Sequence, residues 1–173
     1  KDSAGFTAKE QLEKISERVH QLTDLQTEVL NKEIIPALAD NGIVYVSQEN
    51  YDSKQEHFAQ TLFNEEIFPL LTPLRADNSR PFSLITNLKL HGAFLLKPIV
   101  ENSTLPKEFL SKDEEPLVIV QIPNAIRRVI WLPSNDEKKY FTLVDDIIVK
   151  FVTKLFPGYK VTESLIFTAT CDA

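Results

Sequence analysis

The residues of this sequence best suited to chemistry are four arginines in two proline-containing turns. Arg75 and Arg80 lie in LTPLRADNSRPFSLITN (residues 71–87), and Arg127 and Arg128 follow PNAI between two apolar runs. A guanidinium group is always charged and donates in a planar fork that matches two phosphate oxygens. The two turns could therefore line a path for an anionic, phosphate-bearing ligand. The alternative is that each arginine is an exposed loop residue paired with a nearby acid or with solvent.

The other reactive residue types form no recognisable active site. The four glycines are isolated, so no glycine-rich loop exists to cradle a phosphate. The neighbouring acids of each acidic pair point apart on a helix or strand, and the single cysteine, Cys171, has no evident base partner. Three histidines lack metal-ligand spacing and are interpreted as structural or solvent-exposed: His20, His57 and His91. We expect no catalytic residue and no metal ligand in this sequence.

Composition limits the possible partners. The 173 residues carry 19 basic and 25 acidic side chains, a net charge of −6, which argues against a whole-surface nucleic-acid or anionic-membrane binder. A single cysteine excludes an internal disulfide framework, and no apolar run approaches the length of a membrane span. We expect a cytoplasmic protein, with peripheral membrane association left open. Because the sequence begins at Lys1 and contains no methionine, we expect it to be an excised fragment.

A long amphipathic helix is predicted at the start. Thr7 and Glu10 have the spacing of a capping box. Apolar residues then recur at steps of three and four, which predicts a single apolar stripe along the helix: Leu12, Ile15, Val19, Leu22, Leu25 and Val29. The stripe could pack on an antiparallel helix within the intact protein or self-associate as a coiled coil.

Shorter elements follow this helix. Pro36 should make the helix kink or restart near Ile35, and Asn41-Gly42 should end it before a β-branched strand over 43–46. Ser53-Lys54-Gln55-Glu56 reads as a second capping box, opening a helix that continues to Pro69.

Period-two alternation predicts a strand from Leu84 onward, with a polar outer face formed by Asn87, Lys89, His91 and Lys97. Residues 117–122 and 128–132 are predicted to be a strand pair connected through PNAIR. Thr142 should begin a helix that ends at Pro157-Gly158, before a last strand over 159–170. Asp145 and Asp146 are explained there by the helix dipole. The pattern predicts an α+β fold: a long N-terminal helix, then a mixed or antiparallel sheet with two or more helices.

Four ordered motifs resemble the first part of the bacterial polyphosphate kinases that autophosphorylate on histidine. They are LFNEEIFPLLTPLRADNSRPFSLITNLKL (62–90), VQIPNAIRRVIWLP (120–133), FTLVDDIIVKFVTKLFPGYKV (141–161) and FTATCDA (167–173). The match extends over roughly residues 31–173. It implies that residues 1–48 are the end of the N-terminal domain with its linker, and that 49–173 are the head, or middle, domain.

The resemblance also implies an activity for the intact protein. Such enzymes reversibly transfer the terminal phosphate of ATP to polyphosphate through a phosphohistidine, with magnesium, and their head domain is associated with dimerisation. The phosphoacceptor and most ATP and Mg²⁺ contacts would belong to catalytic domains of the same chain, so this piece should bind no cofactor and be inactive alone. Its expected role is dimerisation and shaping of the nucleotide and polyphosphate path.

Two departures from the family pattern bear on the arginines. This chain has Arg127-Arg128 where many relatives have Pro-Arg, and it has Thr168 and Cys171 where relatives carry arginines near the end of the last strand. Any phosphate role of those end arginines does not transfer. The alternative to the kinase reading is a stand-alone interaction module that binds a partner through its N-terminal amphipathic helix.

Overall fold

The computed structural model describes residues 5–76, 85–99 and 116–170, and the chain divides into two compact units. Unit 1 comprises Lys1–Tyr45 with Glu137–Lys139, and unit 2 comprises Val46–Asp136 with Tyr140–Ala173. No helix among the described residues is long and apolar enough to cross a membrane.

Unit 1 is built on helix α1, Ala8–Val29. Its predicted capping box is confirmed: the Thr7 hydroxyl accepts from the Glu10 amide at 3.3 Å, and the Thr7 amide donates to the Glu10 carboxylate at 2.7 Å. The hydrogen bond from the Thr7 backbone lowers the pKa of Glu10 below its ordinary value. The helix therefore begins where the local sequence directs it to begin.

The apolar stripe of α1 is exposed. No residue of this helix is buried, and Leu12, Leu22 and Leu25 keep 67%, 49% and 56% of their surface accessible. The predicted stripe is present, whereas the identity of its partner stays a prediction.

The expected disturbance before Pro36 takes the form of a π-helical turn over Leu30–Ile34. Proline lacks an N–H group for the helical ladder, and the winding changes just ahead of it. Helix α2 (Ile35–Asp40) then ends at Gly42, whose φ of 78° lies in the left-handed region, and strand β1 (Ile43–Tyr45) follows as predicted.

Unit 2 opens with helix α3, Ser53–Leu62. Its cap is Asp52 rather than the predicted Ser53: the Asp52 carboxylate accepts from the amides of Lys54 and Gln55, both at 2.8 Å. Gln55 reaches back to the Asp52 amide at 3.2 Å, so the box lies one residue earlier than expected. The helix continues as a π-helical turn (Phe63–Ile67) and a 3₁₀ turn (Phe68–Leu70).

An antiparallel sheet forms the centre of unit 2. Its strand order is β2-β4-β3-β7, with β2 at Pro73–Arg75, β3 at Leu90–Pro98, β4 at Leu117–Gln121 and β7 at Tyr159–Thr168. One face packs against α3 and helix α4 (Val144–Phe151), which a 3₁₀ turn (Val152–Leu155) extends. The largest fully buried apolar side chains of this core include Phe63, Phe94, Ile67, Leu96, Ile147 and Ile148. The predicted α+β class is confirmed.

The predicted pairing of residues 117–122 with 128–132 is wrong. Strand β4 pairs with β2 and β3, whereas β5 (Val129–Leu132) pairs with β6 (Lys139–Leu143). The PNAIR segment therefore passes between two sheets instead of closing a hairpin, because β4 pairs with strands that precede it in the chain and β5 pairs with the strand that follows it. Thr142 lies inside β6 and is not the helix cap that was predicted.

The predicted strand start and its polar face also need correction. Strand β3 begins at Leu90 because Leu88 has a φ of 57°, incompatible with extended backbone, and Lys89 donates to the Thr86 carbonyl in a turn. The predicted start, Leu84, lies outside the described residues. His91, expected on a polar outer face, is fully buried and stacks on Phe167 with ring centroids 5.6 Å apart.

Gly92 provides a test of how closely this core is packed. A Cβ at Gly92 would lie 2.6 Å from Cε2 and 2.7 Å from Cζ of Phe94, whose ring is fully buried. Gly92→Ala should lower the free energy of unfolding by about 1–3 kcal/mol, since the ring has no room to retreat. Denaturant titration of the variant and the parent measures this difference. Equal stability would show that the sheet and helices yield at this point.

Candidate functional site

Arg128 and Asp145 meet where strand β5 and helix α4 begin. The Val144 amide donates to the Arg128 carbonyl at 2.8 Å, which brings the two backbone segments together. The Arg128 Nη2 atom then donates to Oδ2 of Asp145 at 2.8 Å. The Arg128 side chain is 60% exposed and that of Asp145 is 11% exposed. The ion pair thus has one buried member and one member that faces solvent.

Only one of the two carboxylate oxygens of Asp145 has a hydrogen-bond partner among the described residues. Its second carboxylate oxygen, Oδ1, is buried and has no hydrogen-bond partner among the described residues. A buried polar atom without a partner costs free energy, and such atoms are uncommon in folded proteins. The helix-dipole explanation of Asp145 is therefore incomplete, because its main contact is Arg128.

Arg128 lines a small cavity of about 210 Å³. Asn124 and Thr168 supply the other polar side chains, and the remaining walls are apolar: Leu88, Leu90, Ile122, Pro123, Ile126 and Val144. Sites for drug-sized ligands usually occupy about 300–1,000 Å³. The cavity is smaller than such sites, and Arg128 gives it a positive charge.

Arg127 faces a different environment. It lines a groove of about 540 Å³ together with Glu65 and Glu66, and the groove floor is apolar. Two carboxylates beside one guanidinium give this groove a net negative charge, which repels anions. The two adjacent arginines are thus placed in separate surroundings.

Arg75 does not line the cavity at Arg128. Arg75 is half-buried in β2, with its Cα opposite that of Val118, and it lines neither groove. Arg80 lies outside the described residues. A phosphate-facing role for Arg75 and Arg80 stays a prediction.

The histidines have structural surroundings. The His91 Nδ1–H donates to the Lys89 carbonyl at 2.9 Å, and its Nε2 accepts from the Thr86 amide at 3.3 Å, so the ring is fully bonded in one neutral tautomer. His20 contacts the Ser16 carbonyl within α1 at 2.7 Å. In the ranges that the structure describes, no group of three His, Cys, Asp or Glu side chains could hold a metal ion.

A second polar network lies beside the Arg128–Asp145 pair. The hydroxyls of Tyr51 and Thr142 are 2.7 Å apart, and the Thr142 hydroxyl donates to Asp146 at 3.4 Å. Asp146 also accepts from the Leu143 amide at 3.3 Å, so it takes the helix-capping role that was predicted for Thr142. Burial, reinforced by the charge of Asp146, raises the pKa of Tyr51 to about 12.

The sequence could not reveal these contacts. Arg128 and Asp145 are 17 residues apart, and Tyr51 and Thr142 are 91 apart. Neither separation leaves a local pattern, since the contacts depend on how β5, β6 and α4 pack.

The raised pKa of Tyr51 predicts a pH dependence of stability. The folded state keeps the phenol protonated above pH 10, where the unfolded chain loses its proton, so this contribution is complete below about pH 10 and is lost as the pH rises through 12. Tyr51→Phe should cost about 1 kcal/mol at pH 8, through the lost hydrogen bond, and progressively less toward pH 12. Denaturant titrations of both proteins across this range measure the difference. A stability difference between the two proteins that is constant with pH would contradict the raised pKa of Tyr51.

Comparison with known proteins places this architecture in a family. Residues 54–173 match the model of the polyphosphate kinase middle domain, and residues 1–46 match that of the polyphosphate kinase N-terminal domain. Curated relatives include the polyphosphate kinases of Halalkalibacterium halodurans, 40% identical over 172 residues, and of Bacillus anthracis, 36% identical over 172 residues. Each alignment covers 99% of this chain but only 23% and 24% of the relative.

A solved structure shows the same fold. The crystal structure of polyphosphate kinase from Porphyromonas gingivalis superposes with a TM-score of 0.80 at 25% identity, covering 94% of this chain and 24% of that one. The chain therefore spans about a quarter of the length of the proteins it matches. By the matching family models, the sequence similarity and the shared fold, this chain belongs to the polyphosphate kinase family.

Proposed function

We propose that this chain is the N-terminal and middle part of an enzyme that reversibly transfers the terminal phosphate of ATP to polyphosphate through a phosphohistidine. The observation that carries the proposal is similarity over almost the whole chain to proteins named polyphosphate kinase. Because the chain spans about a quarter of those proteins, the activity belongs to the intact polypeptide. We place that enzyme in the cytoplasm.

We assign the chemistry to catalytic domains outside this chain. Among the described residues, the histidines are packed or exposed without a metal-ligating neighbour, and the cavity at Arg128 is smaller than a nucleotide site. These residues do not fit a bound ATP or Mg²⁺, so no step of the transfer is routed through them. ATP and Mg²⁺ are the cofactors that the proposal assigns to the intact enzyme.

The role proposed for this part is assembly and shaping of the polyphosphate path. Its partners are the catalytic domains of the same chain and a second copy of the enzyme, bound through the middle domain. Arg128 supports the path-shaping role, since its guanidinium is exposed beside a cavity with two further polar side chains. Neither nucleic acid nor a membrane-spanning segment is part of this proposal.

The first test is direct. Residues 1–173 mixed with radiolabelled ATP, Mg²⁺ and polyphosphate should yield no phosphoenzyme and no chain growth, because the phosphoacceptor is placed elsewhere. The intact kinase serves as the positive control in the same assay. Turnover by the isolated chain would contradict the non-catalytic role.

A second test compares the two adjacent arginines in the intact kinase. Arg128→Ala should raise the apparent KM for polyphosphate about 10-fold, the effect of losing one charge-assisted hydrogen bond of ~1.4 kcal/mol. The effect should shrink at high salt, since exposed charges are screened. Arg127→Ala is the matched control and should change KM less than about twofold, because Glu65 and Glu66 share its groove. Equal effects of the two changes would contradict the assignment to Arg128.

The exposed stripe of α1 supports a second candidate function, a stand-alone interaction module that binds a partner helix. The two proposals differ in what the gene encodes after residue 173. A reading frame that continues into histidine-bearing catalytic sequence would exclude the module, and a stop codon would exclude the kinase.

A further inference from the structure

We propose that Asp145 is a positioning residue that holds the Arg128 guanidinium toward the polyphosphate path. The inference rests on the proposed function and extends it to a residue that never touches the ligand. Asp145 lies behind the exposed arginine, and its surface is 8% accessible.

Stability alone does not account for Asp145. One of its oxygens is buried without a partner among the described residues, and the other bonds an arginine that is 60% exposed. Exposed ion pairs add little to stability, and desolvating a carboxylate offsets much of what a buried pair gains. The buried oxygen without a partner therefore calls for an explanation other than stability.

The position of Asp145 behind the Arg128 guanidinium supplies such an explanation. Asp145 lies in the first turn of α4. The amide of the preceding residue, Val144, donates to the Arg128 carbonyl at 2.8 Å. The carboxylate therefore accepts a hydrogen bond from one guanidinium nitrogen, Nη2, while its own backbone is held in the helix. An arginine has five N–H donors in a fixed fork, so most of them remain for a ligand.

Holding a long side chain in place before binding favours affinity. An unrestrained arginine loses side-chain conformational entropy when it binds a phosphate. An arginine that is already held in place has lost that entropy before binding, so its binding free energy is more favourable. Asp145 also opposes this effect, because its negative charge weakens the attraction of Arg128 for an anion. The two effects have opposite signs, which makes them separable.

The test is Asp145→Asn in the intact kinase, with the KM for polyphosphate as the readout. If Asp145 positions Arg128, KM should rise about 3- to 10-fold, the usual cost of ordering one flexible side chain, with kcat unchanged. If Asp145 merely neutralises Arg128, KM should fall. At high salt the rise should shrink in parallel with that of Arg128→Ala, since both effects act through the same exposed guanidinium.

A double-mutant cycle ties the effect to the arginine. Adding Asp145→Asn to Arg128→Ala should change KM no further, since there is no guanidinium left to hold. Glu56→Gln is the matched control, because Glu56 pairs with Lys150 at 3.5 Å in the same unit and lines neither groove. It should leave KM unchanged. If Asp145→Asn does not fold, Asp145→Ser takes its place and should raise KM in the same way, because its shorter neutral side chain does not reach the guanidinium; an unchanged KM would contradict the positioning role.

The outcomes separate the two proposals. No effect of Arg128→Ala would overturn the path role of Arg128, and this inference with it. A raised KM for Arg128→Ala together with an unchanged or lowered KM for Asp145→Asn would overturn only the positioning role. An equal rise from Asp145→Asn in the presence and absence of Arg128 would also overturn it, because the effect would then be structural.

Discussion

The architecture of unit 2 depends on burying one face of an antiparallel sheet under two helices. The ring centroids of Phe63, in the π-helical turn after α3, and Phe151, at the end of α4, lie 5.7 Å apart. The ring centroids of Phe94, in the sheet, and Phe156 lie 6.4 Å apart. The β5–β6 pairing, which sets Val129 opposite Leu143 and continues in the bond from the Val144 amide to the Arg128 carbonyl, fixes where α4 begins relative to β5. The Arg128–Asp145 pair is a consequence of that placement.

The non-catalytic role proposed for this part rests on its partial coverage of the polyphosphate kinases it resembles. The chain covers about a quarter of its relatives, and the grooves it forms alone are open or small. Arg128 has both an exposed guanidinium and a rigid support, whereas Arg127 sits beside two glutamates.

The sequence predicted features with a local cause. The capping box at Thr7, the disturbance before Pro36 and the end of α2 at Gly42 each depend on a few neighbouring residues, and each was confirmed. A neighbouring acid shifted the second cap by one residue, because Asp52 also has the form of an N-cap. Local pattern thus predicts elements well and their ends less well.

Features with a distant cause were missed. Strands β4 and β5 were predicted to pair because they are neighbours in sequence, yet β4 pairs with the earlier strands β2 and β3, and β5 pairs with the next strand, β6. His91 was placed on a polar face by alternation, although Phe167 of β7 covers it. Asp145 was given to the helix dipole because Arg128 lies 17 residues before it. Tertiary packing decides such positions, and it leaves no short-range pattern.

Amide hydrogen exchange in the intact kinase, with and without polyphosphate, tests the account most directly. If the cavity beside Arg128 belongs to the polyphosphate path, amides of residues 124–128 and 166–170 should exchange more slowly when polyphosphate is bound, and Arg128→Ala should shift this protection to about 10-fold higher polyphosphate concentrations. Protection confined to other parts of the enzyme, with these amides unchanged at saturating polyphosphate, would contradict it.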